Sequence, residues 1–216
     1  MSRASRTAAG PATLPPAGMP GLDPAWSRLV QITDSDGYPR TFHVLDTHNP
    51  DSFGRSSGEQ PEPAGTLLCV HGNPTWGYLW RRLVAAPPPG WRVIAPDQLG
   101  MGYSERTGTP RVLEQRVDDL GRLTDALGVT GSGLTGPVVT VAHDWGGIIS
   151  LGWAAEHRDQ LRGVVLTNTA VHQPEDSKGP ILIRLAHLGA VNRVAHTIPE
   201  LVRSGRDLPS PAEAGP

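Results

Sequence analysis

The stretch Val138-Val-Thr-Val-Ala-His-Asp-Trp-Gly-Gly147 decides the fold. An apolar, β-branched run ends at His143-Asp-Trp145, two glycines follow, and Ile148-Ile-Ser-Leu-Gly-Trp-Ala-Ala-Glu-His157 reads as a helix. The order is strand, sharp turn, helix. Small residues flank the turn, Ala142 two before its apex and Gly146 two after, where a larger side chain would collide with neighbouring backbone. The apex is a carboxylate, Asp144, lifted to the C-terminal edge of a parallel sheet, where ligands bind. Two readings are open at this point. Asp144 caps the following helix, since aspartate is a favoured N-cap. Alternatively it is a nucleophile that forms an ester with a substrate carbon, and water then cleaves the ester. Such an attack suits an sp³ carbon bearing a halide or a strained oxygen.

Outward from this turn, the chain alternates. Arg28–Thr33 and Arg40–Leu45 read as strands of a hairpin turning at Asp34-Ser-Asp-Gly37. Thr66–Val70, Trp91–Ala95 and Leu161–Thr167 are short continuous apolar runs, as buried parallel strands should be. A helix is expected from near Thr75, with Thr75 as its N-cap beside Pro74. Another is expected over Arg111–Leu127, where Val112, Leu113, Val117, Leu120, Leu123 and Leu127 recur at helical spacing. Alternation of strand and helix predicts an α/β fold, a mostly parallel sheet with helices on both faces. Asn49–Gly65 reads as a polar loop and Gly128–Pro137 as a glycine-rich connection. Residues 1–24, rich in Pro, Gly and Ala, are expected to be a disordered tail. Residues 25–171 form the amino-terminal half of the core, 172–205 begin a helical cap with Ile181–Val202 helical, and 206–216 are a flexible end.

Composition narrows the function classes. Among 216 residues, 19 Lys plus Arg against 21 Asp plus Glu give a net charge of −2, which points away from nucleic acid and anionic membranes. The single cysteine, Cys69, lies in an apolar run and reads as a core residue; it excludes an internal disulfide and either fits a reducing compartment or is uninformative, and a cytoplasmic location is expected. No segment is long and apolar enough to span a bilayer. No Cys/His cluster has metal-ligand spacing and no glycine-rich loop fits a phosphate, so no metal and no cofactor is expected.

His71-Gly-Asn-Pro74, Ala95-Pro-Asp-Gln-Leu-Gly-Met-Gly-Tyr-Ser104 and Ala142-His-Asp-Trp-Gly-Gly147 together resemble the haloalkane dehalogenases of the α/β-hydrolase fold, from about Arg28 to Val202. In that fold the nucleophile occupies the middle of a G-x-S-x-G turn. The resemblance implies that Asp144 is the nucleophile and that Asn73 and Trp145 stabilise the leaving halide. A departing halide needs N–H donors, and the Trp145 indole and Asn73 amide are neutral donors that would not trap it. The backbone N–H groups of Asn73 and Trp145 are candidates for an oxyanion hole. His71 and His143 are read as orienting loops, and Asp97 and Ser104 as bracing the Gly100-Met-Gly102 turn. Trp76, Trp80, Trp91 and Trp153 are read as core or cap contacts.

The sequence also departs from that family. A histidine base and an acid are required, yet Asn168 stands where one subgroup has its acid, and His157, His172, His187 and His196 come too early for the base. The expectation is an amino-terminal part of a larger hydrolase acting on a small apolar substrate, with the base and acid supplied by a missing carboxy-terminal half. The chain alone is then not competent for turnover. Homologous β-lactone decarboxylases of bacterial olefin synthesis, some fused to an acyl-adenylating ligase, are the nearest alternative. Epoxide hydrolases follow, and then an inactive interaction module.

Overall fold

Gly65–Val70 is buried at every position, as a strand covered on both faces must be. It is the third of six strands in a computed structural model that describes residues 9–49, 62–130 and 136–169. The strands are β1 (Ser27–Thr33), β2 (Pro39–Asp46), β3 (Gly65–Val70), β4 (Trp91–Pro96), β5 (Val138–His143) and β6 (Leu161–Thr167). They form one sheet in the order β1-β2-β4-β3-β5-β6. β1 and β2 pair antiparallel, as do β2 and β4; β4-β3, β3-β5 and β5-β6 are parallel. Helices α1 (Arg81–Ala85), α2 (Leu113–Ala126) and α3 (Trp145–Glu156) supply the crossovers that parallel pairing requires.

Side chains alternate across the pleat, so each strand feeds two cores. Leu68, Val70, Ile94 and Ala142 pack with Leu120, Leu123, Ile149 and Trp153. Leu67, Cys69, Val93 and Ala95 point the other way, onto Leu22, Leu45 and Val84, with Trp76, Trp80 and Trp91 packed against them. Each large aliphatic side chain fully buried here contributes about 1.5–3 kcal/mol. Trp153 is wholly buried, donates its indole N–H to Thr124 Oγ1 at 3.0 Å, and stacks on His157. The hairpin turn is held as the sequence suggested: Asp34 Oδ1 accepts from the N–H groups of Asp36 and Tyr38, and Gly37 takes φ +84°. No helix among the described residues is long and apolar enough to cross a membrane.

Four expectations change. Thr75 does not cap a helix: its hydroxyl donates to Gly72 O at 2.9 Å, the chain passes through a 3₁₀ turn at Gly77–Trp80, and the α-helix begins only at Arg81. Helix α2 begins at Leu113 rather than Arg111, because Arg111 is committed to ion pairs with Asp34 and Asp119. β6 is not a buried strand: Val165 is 46% and Leu166 39% exposed, and among the described residues β6 pairs with β5 alone. The leading segment is ordered from residue 9. Gly10 and Arg106 exchange backbone hydrogen bonds, Thr13 N–H donates to Tyr103 O, and Leu22 is buried. Those backbone bonds, the Tyr78 hydroxyl donating to Pro20 O, and Leu22 with Met19 packed on the core hold a stretch whose composition alone suggested none. The chain divides into two units, 1–171 and 172–216. The cap start, the helix at 181–202, the end at 206–216, most of the polar loop and residues 131–135 lie outside the described residues.

Two glycines test this packing. A Cβ on Gly146 would collide with Val70 O and stand 2.7 Å from His71 O, both rigid backbone, whereas one on Gly121 meets nothing closer than His157 Cε1 at 3.6 Å. Gly146→Ala should therefore destabilise the fold by more than about 2 kcal/mol. Gly121→Ala should stabilise it by about 0.5–1 kcal/mol through helix propensity. Thermal melts of both variants check the pair, and equal shifts would contradict the geometry.

Candidate functional site

The site forms where β3 and β5 end side by side, with Val70 paired to Ala142. Beyond β5 the chain turns at Asp144, which takes φ +54° and ψ −129°, a region that costs a non-glycine residue about 1–3 kcal/mol. The turn is fixed from several sides. Asp144 N–H donates to Thr167 O, while its carbonyl accepts from Gly147 N–H at 2.9 Å and from the Thr169 hydroxyl at 2.8 Å.

Although Asp144 stands at the N-cap position of α3, its carboxylate makes no capping bond. Oδ1 instead accepts the backbone N–H of Asn73 at 2.9 Å, across 71 residues of sequence. The apical carboxylate thus faces the loop after β3 rather than its own helix. Gly72 makes this approach possible. A Cβ there would meet Asp144 Oδ1, Asp144 Cβ at 2.5 Å and the backbone nitrogen of Trp145 at 2.7 Å. The Asn73-Pro74 bond is cis. Asn73 and Trp145, singled out from sequence, both stand beside Asp144 and both are exposed, Trp145 at 54%. Asn168 follows β6 with φ +46°, and its side chain lies 3.5 Å from His143 Nε2.

The loops behind the site are braced by buried polar groups. Asp97 accepts from Gly77 N–H at 2.7 Å through Oδ1 and from Tyr103 N–H at 2.7 Å through Oδ2, and its carbonyl accepts the Ser104 hydroxyl. Asp97 and Ser104 therefore hold the turn for which they were singled out. They also hold His43 of β2, a residue the sequence reading passed over: its ring Nδ1 lies 3.0 Å from Asp97 Oδ2 and its backbone N–H donates to Ser104 Oγ. His71 is fully buried. Its Nε2 accepts from Gln98 N–H at 3.0 Å, so the proton sits on Nδ1, which donates to Gly72 O at 2.9 Å. Gln98 was likewise passed over, because its partners lie 18 and 27 positions away. Among the described residues, no group of three or more His, Cys, Asp and Glu side chains is arranged to hold a metal ion.

Comparison with known proteins places the fold. The family described as alpha/beta hydrolase fold matches residues 65–192. A cis-3-alkyl-4-alkyloxetan-2-one decarboxylase of Xanthomonas campestris is 44% identical over 120 residues, covering 52% of this chain and 38% of that protein. Haloalkane dehalogenase 2 of Mycobacterium bovis is 41% identical over 104 residues, covering 48% of this chain and 34% of that protein. The chain thus spans well under half the length of these two relatives. Among solved structures, a haloalkane dehalogenase of Paraglaciecola agarilytica superposes with a TM-score of 0.60 at 22% identity, over 83% of this chain and 55% of that one, which is a likeness of fold.

Burial holds the His71 ring below its ordinary pKa of 6.5, and the positive charge of Arg116 acts in the same direction. The unfolded chain therefore takes up a proton near pH 6.5 that folded His71 refuses, and stability falls as the pH drops below that value. Asp119, pushed up to about 6 by burial, acts with the opposite sign, since the folded state gains its proton first. Comparing the protein with a His71→Gln variant isolates the first effect. The stability advantage of the histidine form, measured by urea unfolding, should shrink as the pH falls from about 7.5 to about 5. A constant difference would mean that His71 does not titrate on unfolding.

Proposed function

Because this chain belongs to the alpha/beta hydrolase fold family, we propose that Asp144 is the nucleophile of an enzyme that forms a covalent alkyl ester, as in haloalkane dehalogenation. The observation that carries this is the apical carboxylate, which leaves its helix uncapped and turns one oxygen to the Asn73 N–H. The second oxygen attacks the carbon bearing the halogen. The new C–O bond forms as the carbon–halogen bond breaks, and the electron pair leaves with the halide. The Trp145 indole and the Asn73 side-chain amide are assigned as donors to that halide. Oδ1 becomes the carbonyl oxygen of the ester, and the Asn73 N–H already on it would stabilise the oxyanion formed when water attacks. Hydrolysis also needs a base to activate water. We assign that histidine base and its acid to a carboxy-terminal half of the complete protein. A small apolar substrate and a cytoplasmic location belong to the same proposal.

The likeness to the oxetanone decarboxylase favours a second reading. Attack on the ring carbon that bears the lactone oxygen would break that C–O bond and leave a carboxylate. Loss of carbon dioxide then expels Asp144 as a carboxylate and yields an alkene. The two readings share the nucleophile and differ in their products, halide and alcohol against carbon dioxide and alkene.

Incubation of the chain with a 1-haloalkane should add one alkyl group per molecule, seen by intact-mass spectrometry and mapped to Asp144, with at most one equivalent of product released. Asp144→Ala should gain no mass. The same adduct on the alanine variant would refute the assignment.

Trp145→Phe should keep the fold, since the side chain is exposed, and slow alkylation on the order of 10²–10³-fold, as the loss of one charge-stabilising donor does. Alkylation within about threefold of the parent rate (under ~1 kcal/mol) would remove the indole N–H from the mechanism.

A further inference from the structure

The Asn73 N–H can reach Asp144 only if the loop after β3 is held in place, and the structure shows what holds it. Gln98, buried two residues past the end of β4, uses its backbone N–H and both ends of its side-chain amide for this. Its backbone N–H donates to His71 Nε2 at 3.0 Å, and its side-chain Nε2 donates to His71 O at 2.5 Å. Its Oε1 accepts from Arg116 Nη1 at 3.0 Å. Arg116, on α2, also donates to Leu99 O at 3.2 Å and so holds the backbone beside Gln98. From His71 the chain runs through Gly72 to Asn73, whose N–H lies on Asp144. A helix on one side of the sheet is thereby linked to the donor at the carboxylate.

We propose that Gln98, held by Arg116, is a positioning residue for the Asp144 site. It fixes the His71 carbonyl and ring, and hence the direction of the Asn73 N–H. The physical basis is the amide of Gln98, which offers a donor and an acceptor at once. The donor takes up a buried carbonyl at the loop, and the acceptor is oriented by a guanidinium that cannot lose its proton. A leucine of similar volume would fill the space and leave His71 O and the Arg116 N–H without these partners. Glutamate would keep the Arg116 contact and lose the donor to His71 O. Misplacement of a catalytic donor by about 1 Å costs on the order of 10²-fold in rate.

The consequence for alkylation rests on Asp144 being the nucleophile, so the test reads position and chemistry separately. Amide hydrogen exchange at Asn73, followed by NMR on the full chain, reads position. Gln98→Leu and Gln98→Glu should each speed exchange at Asn73 by at least about tenfold (1.4 kcal/mol). Exchange at Cys69 and Val141, within β3 and β5, should not change. Arg116→Met should produce a smaller rise in the same place, and Arg116→Lys, which keeps a donor, should restore most of the protection. The rate constant for alkylation by a 1-haloalkane reads chemistry. It should fall about tenfold or more in Gln98→Leu, because the Asn73 N–H orients the attacking carboxylate and the same residue carries the side-chain donor to the halide, with the haloalkane concentration for half-maximal rate unchanged. If Asn73 exchange is unaltered in both Gln98 variants, the proposal is wrong, whatever the alkylation rate. If Leu at this position does not fold, Gln98→Glu and Arg116→Met decide. If the parent chain is never alkylated but Asn73 loses protection as described, positioning stands and the nucleophile reading falls.

Discussion

Two loops mesh backbone to backbone where β3 and β5 end, and the geometry of the site depends on that contact. Gly146 lies under Val70 O, and Gly72 lies under the Asp144 carboxylate, each too close to carry a side chain. Because Gly146 meets main-chain atoms of β3 and Gly72 meets Asp144 Cβ and the Trp145 nitrogen, the strand ends cannot move apart or slide without losing the register Val70 to Ala142. Asp144 occupies a costly backbone region, and three bonds to its own backbone polar groups offset that cost. The carboxylate is thereby freed from the helix and available to the neighbouring loop. Strain at the turn and reach across the strands have one origin, the absence of Cβ atoms at two positions.

Charge then fixes the layer that lies behind the site. Arg111 pairs with Asp34 in the hairpin and with Asp119 in α2, and Arg40 joins Asp34 to Glu105. Elsewhere Arg92 grips Asp46 with two bonds, at 2.9 and 2.7 Å, and donates to Leu127 O past the end of α2. Breaking such a buried pair on one side costs about 3–5 kcal/mol. Each end of α2 is therefore tied to the hairpin strands by an arginine. The buried Leu120 and Leu123 hold the same helix against the core, and from it Arg116 reaches Gln98.

The sheet was legible in the sequence because apolar runs of five to seven residues have few other uses, and the hairpin because Asp34 and Gly37 each satisfy a turn for a known reason. The apical turn was legible because Ala142 and Gly146 bracket it. What the sequence did not disclose was direction. Thr75 has the chemistry of a cap, but its hydroxyl turns back to Gly72 O, a choice made by the loop's path. The apolar residues of β6 state what the strand can bury, not which layer covers it, and Val165 and Leu166 are exposed. Arg111 satisfies a helical pattern and is drawn out of the helix by carboxylates at positions 34 and 119. The bond between Asn73 and Asp144 is a product of topology, since no local pattern joins residues 71 positions apart.

The leading segment has a bearing on how this chain tolerates change. Gly10 and Thr13 bond through their backbone to Arg106 and Tyr103, at the far end of the loop that begins at Asp97 and Gln98. Backbone bonds are blind to side-chain identity, so the low-complexity composition there can drift widely at little cost. Its length and its avoidance of proline at the two donor positions cannot, because Gly10 and Thr13 each need an N–H. Selection on such a stretch would be visible as conserved spacing rather than conserved letters, a signature that residue-by-residue comparison passes over.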